Sequence, residues 1–192
     1  MIVPFHPLLE TPRLILRAWR DEDRAPFAAL NADPRVMEFM ATALDRAQSD
    51  AMIDRMTAHL AARGFGLWAV EVKGGPPCIG FVGLSVPHYE TAFTPCVEVG
   101  WRLAAAQWGR GYATEAARAA LGFGFSIVGL DEIVSFTTAG NIRSRRVMER
   151  LGLRHSPADD FEHPSLPAGH PLRPHVLYRI SQVAWRTLGA TG

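Results

Sequence analysis

The sequence predicts an α/β (α+β) domain with one mixed, mostly antiparallel sheet of about seven strands, flanked by helices. Several runs alternate apolar and polar residues, the period of a half-buried strand. Two long stretches, Leu44 to Arg63 and Thr114 to Val128, carry apolar residues at helical spacing or are rich in alanine. A glycine-bearing junction, Gln107-Trp108-Gly109-Arg110-Gly111-Tyr112-Ala113-Thr114, joins a strand-like run directly to the second of these stretches.

Thr11 to Trp19 alternates well enough for a first strand, with Leu14 and Leu16 on one face and Ile15 and Arg17 on the other. Asp21 is positioned to cap a helix containing Arg24, Phe27 and Leu30, and Pro34 breaks that helix. A short turn follows, Val36 to Met40. Within Leu44 to Arg63, Met52, Ile53, Met56 and Leu60 form one apolar stripe, read as core packing. Phe65 to Val72 and Cys78 to Val86 form a hairpin around Lys73-Gly74-Gly75-Pro76-Pro77. Pro87 to Pro95 is a loop, and Cys96 to Leu103 is a central strand entering the junction. After the alanine-rich helix, Asp131 to Thr138 is rich in β-formers. Ala139-Gly140-Asn141 starts another helix, with Val147, Met148 and Leu151 buried and Gly152 at its end. Pro157 to Arg173 is a polar insertion with four prolines. Val176 to Ile180 is the last strand and Val183 to Leu188 a tail.

At 192 residues the chain fits a single domain, 1–192, on a prior of roughly 150 residues per domain. The net charge of +1 supplies no field to draw nucleic acid or a membrane surface. Cys78 and Cys96 sit in strand-like runs and read as buried thiols in a reducing compartment. Met1 to Leu9 lacks the basic flank and apolar core of a secretory leader, and Ala119 to Leu130 is too short to span a bilayer. The composition reads as cytoplasmic.

The junction has the makings of a phosphate cradle. Its glycines permit a sharp turn and close approach of a ligand. The first amides of the following helix lack internal partners and carry partial positive charge. It lacks both the Gly-Lys-Ser/Thr ending of an NTPase loop and the three-glycine dinucleotide spacing. The string Trp108-Gly-Arg-Gly111-Tyr-Ala113-Thr-Glu-Ala resembles the coenzyme A loop of the GNAT acetyltransferase superfamily, Gln/Arg-x-x-Gly-x-Gly/Ala, with Trp108 in place of the usual Gln or Arg. That substitution, and the opening Glu-Thr-Pro-Arg-Leu-Ile-Leu-Arg, are similar to the RimJ/RimL-like branch. Asn141-Ile-Arg-Ser144, continuing to Gly152-Leu153, resembles the second cofactor-contacting segment of the superfamily.

The resemblance implies the GNAT fold, splayed at the cofactor groove, and direct transfer of an acetyl group from acetyl-CoA to a primary amine. Val99, Trp101 and Leu103 would pair with the pantetheine arm through their backbone. Trp108, Gly109, Arg110, Gly111, Tyr112, Ala113 and Thr114 would hold the pyrophosphate, and Asn141 and Ser144 would contact the coenzyme. Glu98 is the candidate general base, against a bland reading as a sheet-surface ion pair with Arg102. His88, Glu90 and His155 are its rivals. Ser144 is the candidate acid for the thiolate. Arg143, Arg145, Arg146 and Arg150 face either the adenosine phosphates or solvent. His163, His170 and His175 lack a zinc spacing, so no metal is expected. The segment around them reads as a lid or wall of the acceptor pocket. A non-catalytic acyl-CoA-binding module is the alternative. The acceptor, a peptide N-terminus or a small molecule, is left open, as is a homodimer.

Overall fold

The structure is a computed structural model that describes residues 8–189. The reading of the first residues as lacking a secretory leader therefore falls largely on residues outside those described. The chain divides into two compact units, one of residues up to 85 with 100–120, the other of 86–99 with the residues from 121 onward.

In the first unit, β1 (Leu9–Glu10) pairs antiparallel with β2 (Leu14–Arg17), Leu9 opposite Leu16. The expected strand Thr11 to Trp19 is thus shorter. The Thr11 N–H donates to the Leu14 carbonyl and the Leu14 N–H donates back to the Thr11 hydroxyl oxygen, which folds residues 11–13 into a turn. Leu14 and Leu16 are buried as the alternation predicts. A tight turn over Asp21–Asp23 precedes α1 (Arg24–Ala32). Asp21 was the expected cap, yet it pairs at the surface with Arg24. The carboxylate of Asp23 accepts from the Arg20 N–H instead, because Arg17 draws it inward.

Pro34 does more than end α1. It opens α2 (Pro34–Met37), whose cap Asp33 accepts from the Arg35 N–H. The long helix α3 (Arg46–Arg63) starts in a reciprocal Asp45–Gln48 capping box and stops at Gly64, whose φ of +71° only glycine tolerates easily. Its stripe of Ile53, Met56 and Leu60 is buried as expected. Strands β3 (Leu67–Val72) and β4 (Gly80–Ser85) form the antiparallel hairpin, followed by β5 (Glu98–Leu103). A Cβ on Gly83 would lie 2.0 Å from the Gly66 carbonyl oxygen, so glycine is required there for close backbone approach. The order is β1-β2-β3-β4-β5. Helix α4 (Tyr112–Phe123) begins directly after the glycine junction. The sequence extended it to Val128; residues Gly124–Val128 form instead a wider π-helical turn closed by Gly129.

In the second unit, β6 (Glu132–Thr138) leads into α5 (Ile142–Arg150), then β7 (Arg154–His155), β8 (Phe161–Glu162), β9 (Pro174–Ser181) and α6 (Gln182–Gly189). Here β6 pairs antiparallel with β9 from Glu132↔Ser181 to Thr138↔His175. Both β7 and β8 also join β9. The start of β5 pairs in parallel with β6, Glu98 opposite Val134, and the Val134 N–H donates to the Val97 carbonyl. The sheet is mixed, as expected, and among the described residues it has nine strands rather than about seven. The strands β1, β7 and β8 have two residues each, too short for an alternation to show. The insertion 157–173 holds a short 3-10 turn and β8 rather than an unbroken loop.

Candidate active site

The junction lies wholly in the first unit. After β5 a short turn over Ala105–Gln107 leads to Trp108, whose indole N–H donates to the Leu103 carbonyl at 2.8 Å. That bond ties the loop back to the end of the strand. Gly109 and Gly111 then adopt φ of +76° and +81°. A Cβ on Gly109 would meet nothing within 4 Å, so glycine is needed there for its backbone conformation rather than for space. The first N–H of α4 to fold back is that of Glu115, onto the Gly111 carbonyl. The N–H groups of Gly109 to Thr114 make no backbone hydrogen bond among the described residues. Consecutive unspent donors at a helix N-terminus suit a pyrophosphate.

A clasp missed by the sequence reading holds this loop. The Arg13 N–H and the Thr11 hydroxyl donate to Glu115 Oε1, at 3.0 and 2.6 Å. Arg13 Nε donates to Glu115 Oε2 at 2.6 Å, and Nη1 donates to the Arg110 carbonyl at 3.0 Å. The same guanidinium lies 4.9 Å from the Tyr112 ring centre. Burial alone would raise the Glu115 pKa, but the bonds from Thr11 and Arg13 win and hold it below the usual carboxylate range. Glu115 is therefore a fixed anion that anchors Arg13 across the loop. Both residues stand in strings that carry the family resemblance, Thr11-Pro12-Arg13 and Thr114-Glu115-Ala116, yet nothing local joins them.

On β5, Val99 and Leu103 are buried and Trp101 is half-buried. The Leu103 carbonyl already accepts from Trp108. Glu98 is half-buried on the same strand. Arg102 does not pair with it as the bland reading had it; its Nη1 donates to Asn31 Oδ1 at 2.7 Å. In the second unit, Glu98 neighbours Tyr89 and Cys96. Burial first, then the Glu98 charge, raises the Tyr89 phenol above its ordinary value and pushes the Cys96 thiol up to about 11. Cys78 is buried as expected, while Cys96 is only half-buried.

Asn141 caps α5. Its Oδ1 accepts from the Ser144 N–H at 3.2 Å, and its Nδ2 donates to Thr137 Oγ1 at 2.9 Å. One amide hydrogen and one oxygen lone pair are left for other partners. Ser144, half-buried, sits in the first turn of α5. Arg145 braces the helix by donating to the Tyr178 hydroxyl and the Ala139 carbonyl. Arg143 and Arg146 are exposed.

Of the rivals to Glu98, His88 and Glu90 are exposed, while His155 stacks on Tyr178 and pairs with Asp160 at 2.7 Å. His163 and His175 lie 4.8 Å apart between ring centres, and Tyr89 lies 4.8 Å from His163. Phe136 and Phe161 complete this aromatic wall. Burial lowers the pKa of both imidazoles, and the His175 charge lowers that of His163 further. Among the described residues no group of three His, Cys, Asp or Glu side chains has the geometry of a metal site.

The chain matches the Acetyltransferase (GNAT) domain family over residues 13–154 and belongs to that family. It is accordingly an acyltransferase that uses acetyl-CoA as co-substrate. It is 32% identical over 149 residues to the uncharacterized protein YkkB of Bacillus subtilis, covering 77% of this chain and 86% of that one. It is 31% identical over 192 residues to the FsC-acetyl coenzyme A-N(2)-transacetylase of Aspergillus fumigatus, covering 96% and 80%. Its fold superimposes on Mycobacterium smegmatis RimJ in complex with CoA-disulfide with a TM-score of 0.72 at 22% identity, covering 97% and 93%.

Proposed function

We propose that the protein transfers the acetyl group of acetyl-CoA directly to a primary amine, on a small molecule or a protein N-terminus. The observation that carries this reading is the row of unspent N–H groups from Gly109 to Thr114, opened by two left-handed glycines and clasped by Arg13 and Glu115. These donors hold the pyrophosphate. The backbone of Val99, Trp101 and Leu103 pairs with the pantetheine arm, the Leu103 carbonyl keeping a lone pair beside its bond from Trp108. Asn141 sets the start of α5 and thereby places Ser144.

In the reaction the amine attacks the thioester carbon, a C–N bond forms and the C–S bond breaks. Glu98 takes the proton from the amine. Ser144 supplies a proton to the departing thiolate, and a backbone N–H in the Val97–Trp101 stretch faces the developing oxyanion. Alignment of amine and thioester supplies a large share of the acceleration, on the order of 7–11 kcal/mol. The Aspergillus relative is named for an N(2) acetylation, which favours a small-molecule amine. The Trp108 loop and the opening Glu-Thr-Pro-Arg-Leu-Ile-Leu-Arg string, on a fold shared with RimJ, support a kinship with the RimJ/RimL-like branch. The wall of Tyr89, Phe136, Phe161, His163 and His175 borders the acceptor.

The test is thiol release over an amine panel with wild type, Glu98→Gln and Ser144→Ala. Glu98→Gln is expected to slow turnover about 10²–10⁴-fold with acetyl-CoA affinity little changed, most strongly where the amine is protonated. A pH–rate profile like that of wild type removes Glu98 as base. Full turnover in both variants removes both residues from the chemistry, and acetyl-CoA binding with no thiol release on any amine favours the non-catalytic binding module.

A further inference from the structure

Among the described residues no carboxylate acts on Arg102. Its Nη1 is locked by Asn31 Oδ1 at 2.7 Å, and Asn31 in turn donates to Ser49 Oγ at 2.9 Å, with both Asn31 and Ser49 buried. Its Nη2 meets only the thioether of Met40, at 3.3 Å, and its Nε is buried with no hydrogen-bond partner. Met52 sulfur lies 3.8 Å from Nη1, and the Phe81 ring centre 5.5 Å from the guanidinium carbon. Burial draws its pKa down to about 10, the reverse of what a carboxylate neighbour would do. Arg17 in the same unit shows the ordinary arrangement, with two carboxylates on its guanidinium.

A buried charge without a counter-ion lowers stability, and an apolar side chain of similar volume would suit Met40, Met52 and Phe81 better. The arrangement also has direction. Asn31 takes one nitrogen and orients the fork, leaving the Nε–Nη2 edge, the edge that binds a carboxylate through two parallel bonds. What covers that edge is a sulfur, a weak acceptor. Met40 stands in the 38–45 connection between α2 and α3, whose far end is held by the Leu44 N–H on the Asn31 carbonyl. Alternation also puts Arg102 on the Glu98 face of β5.

We propose that Arg102 is a specificity residue: its Nε–Nη2 edge receives a carboxylate of the acceptor, displacing the Met40 thioether, so that the preferred substrate is an amine that also bears a free acid. This rests on the acetyl-transfer reading and narrows its acceptor class.

The experiment pairs amine acceptors, amino acids and dipeptides, with their own C-terminal amides. Thiol release is measured at saturating acetyl-CoA for wild type, Arg102→Met and Arg102→Lys, with acetyl-CoA calorimetry on the same samples. Wild type should favour acids over amides by about tenfold or more in kcat/KM, carried mainly by KM. Arg102→Met should bring that ratio to about one while raising the melting temperature, and Arg102→Lys should restore part of it. Acetyl-CoA binding with no acid turned over, with acids and amides turned over equally, or with a preference that survives in Arg102→Met overturns the proposal. So does a lower melting temperature in Arg102→Met, which would make the guanidinium a structural prop. Loss of acetyl-CoA binding in wild type would instead sink the transfer reading itself.

Discussion

Arg17 shows how a charge is made safe inside this chain. It forms a two-bond pair with Asp23, at 2.7 and 2.9 Å, and donates further to Glu71, Pro77 and Ala18. The Asp23 bonds, opposed by burial and aided by Glu71, raise its pKa and keep it charged. Removing one partner strands the other. Asp23→Ala is expected to lower unfolding free energy by about 3–5 kcal/mol, read by urea denaturation; a loss below about 1 kcal/mol would show that water replaces the carboxylate. Alternation places Arg17 with Ile15 on the face opposite Leu14 and Leu16, and it does not show the burial of Arg17, because its partner Asp23 lies in the next element. Gly111 behaved oppositely. Its need for a left-handed backbone was legible from a glycine between strand and helix, and a φ of +81° bears that out.

At the scale of elements, the longer strands and helices follow from periodicity, since four or more residues suffice to show an alternation or a stripe. Ends follow less well. Asp21 looked like a cap, but Arg17 recruited Asp23 and moved the helix start. The Asp45–Gln48 box is a reliable end, and Asp45→Ala should cost about 1 kcal/mol in the same denaturation experiment. The cradle was readable as a loop, but its clasp was not, because Arg13 and Glu115 are distant in sequence. Glu115→Gln should loosen the loop and weaken acetyl-CoA about tenfold in calorimetry, with α4 preserved by circular dichroism. Unchanged affinity would mean that the loop holds its shape without Arg13.

For the whole molecule, the GNAT class was legible from two motifs in order, while the wall proposed to border the acceptor was legible only as the segment around His163, His170 and His175. Tyr89 and Phe136, which no motif marks, meet His163 and His175 through the β6–β9 register and the turn into β8. Burial lowers the pKa of both imidazoles, so the folded state resists their protonation. The unfolded chain then binds more protons below its histidine pKa, about 6.5, and stability present above that value falls as pH drops. The melting temperature should decline from pH 7.5 to 5.5, and His163→Phe should flatten the decline. An equal slope in the variant would assign it to other groups.

The most direct measurement is titration calorimetry of the protein with acetyl-CoA, using ADP and NAD as controls, for wild type and Gly111→Val. The account predicts micromolar binding of acetyl-CoA in preference to the controls, weakened tenfold or more, roughly 1.4 kcal/mol, by the valine. Equal affinity in both proteins, or no binding to wild type, would contradict the cradle on which the functional reading stands.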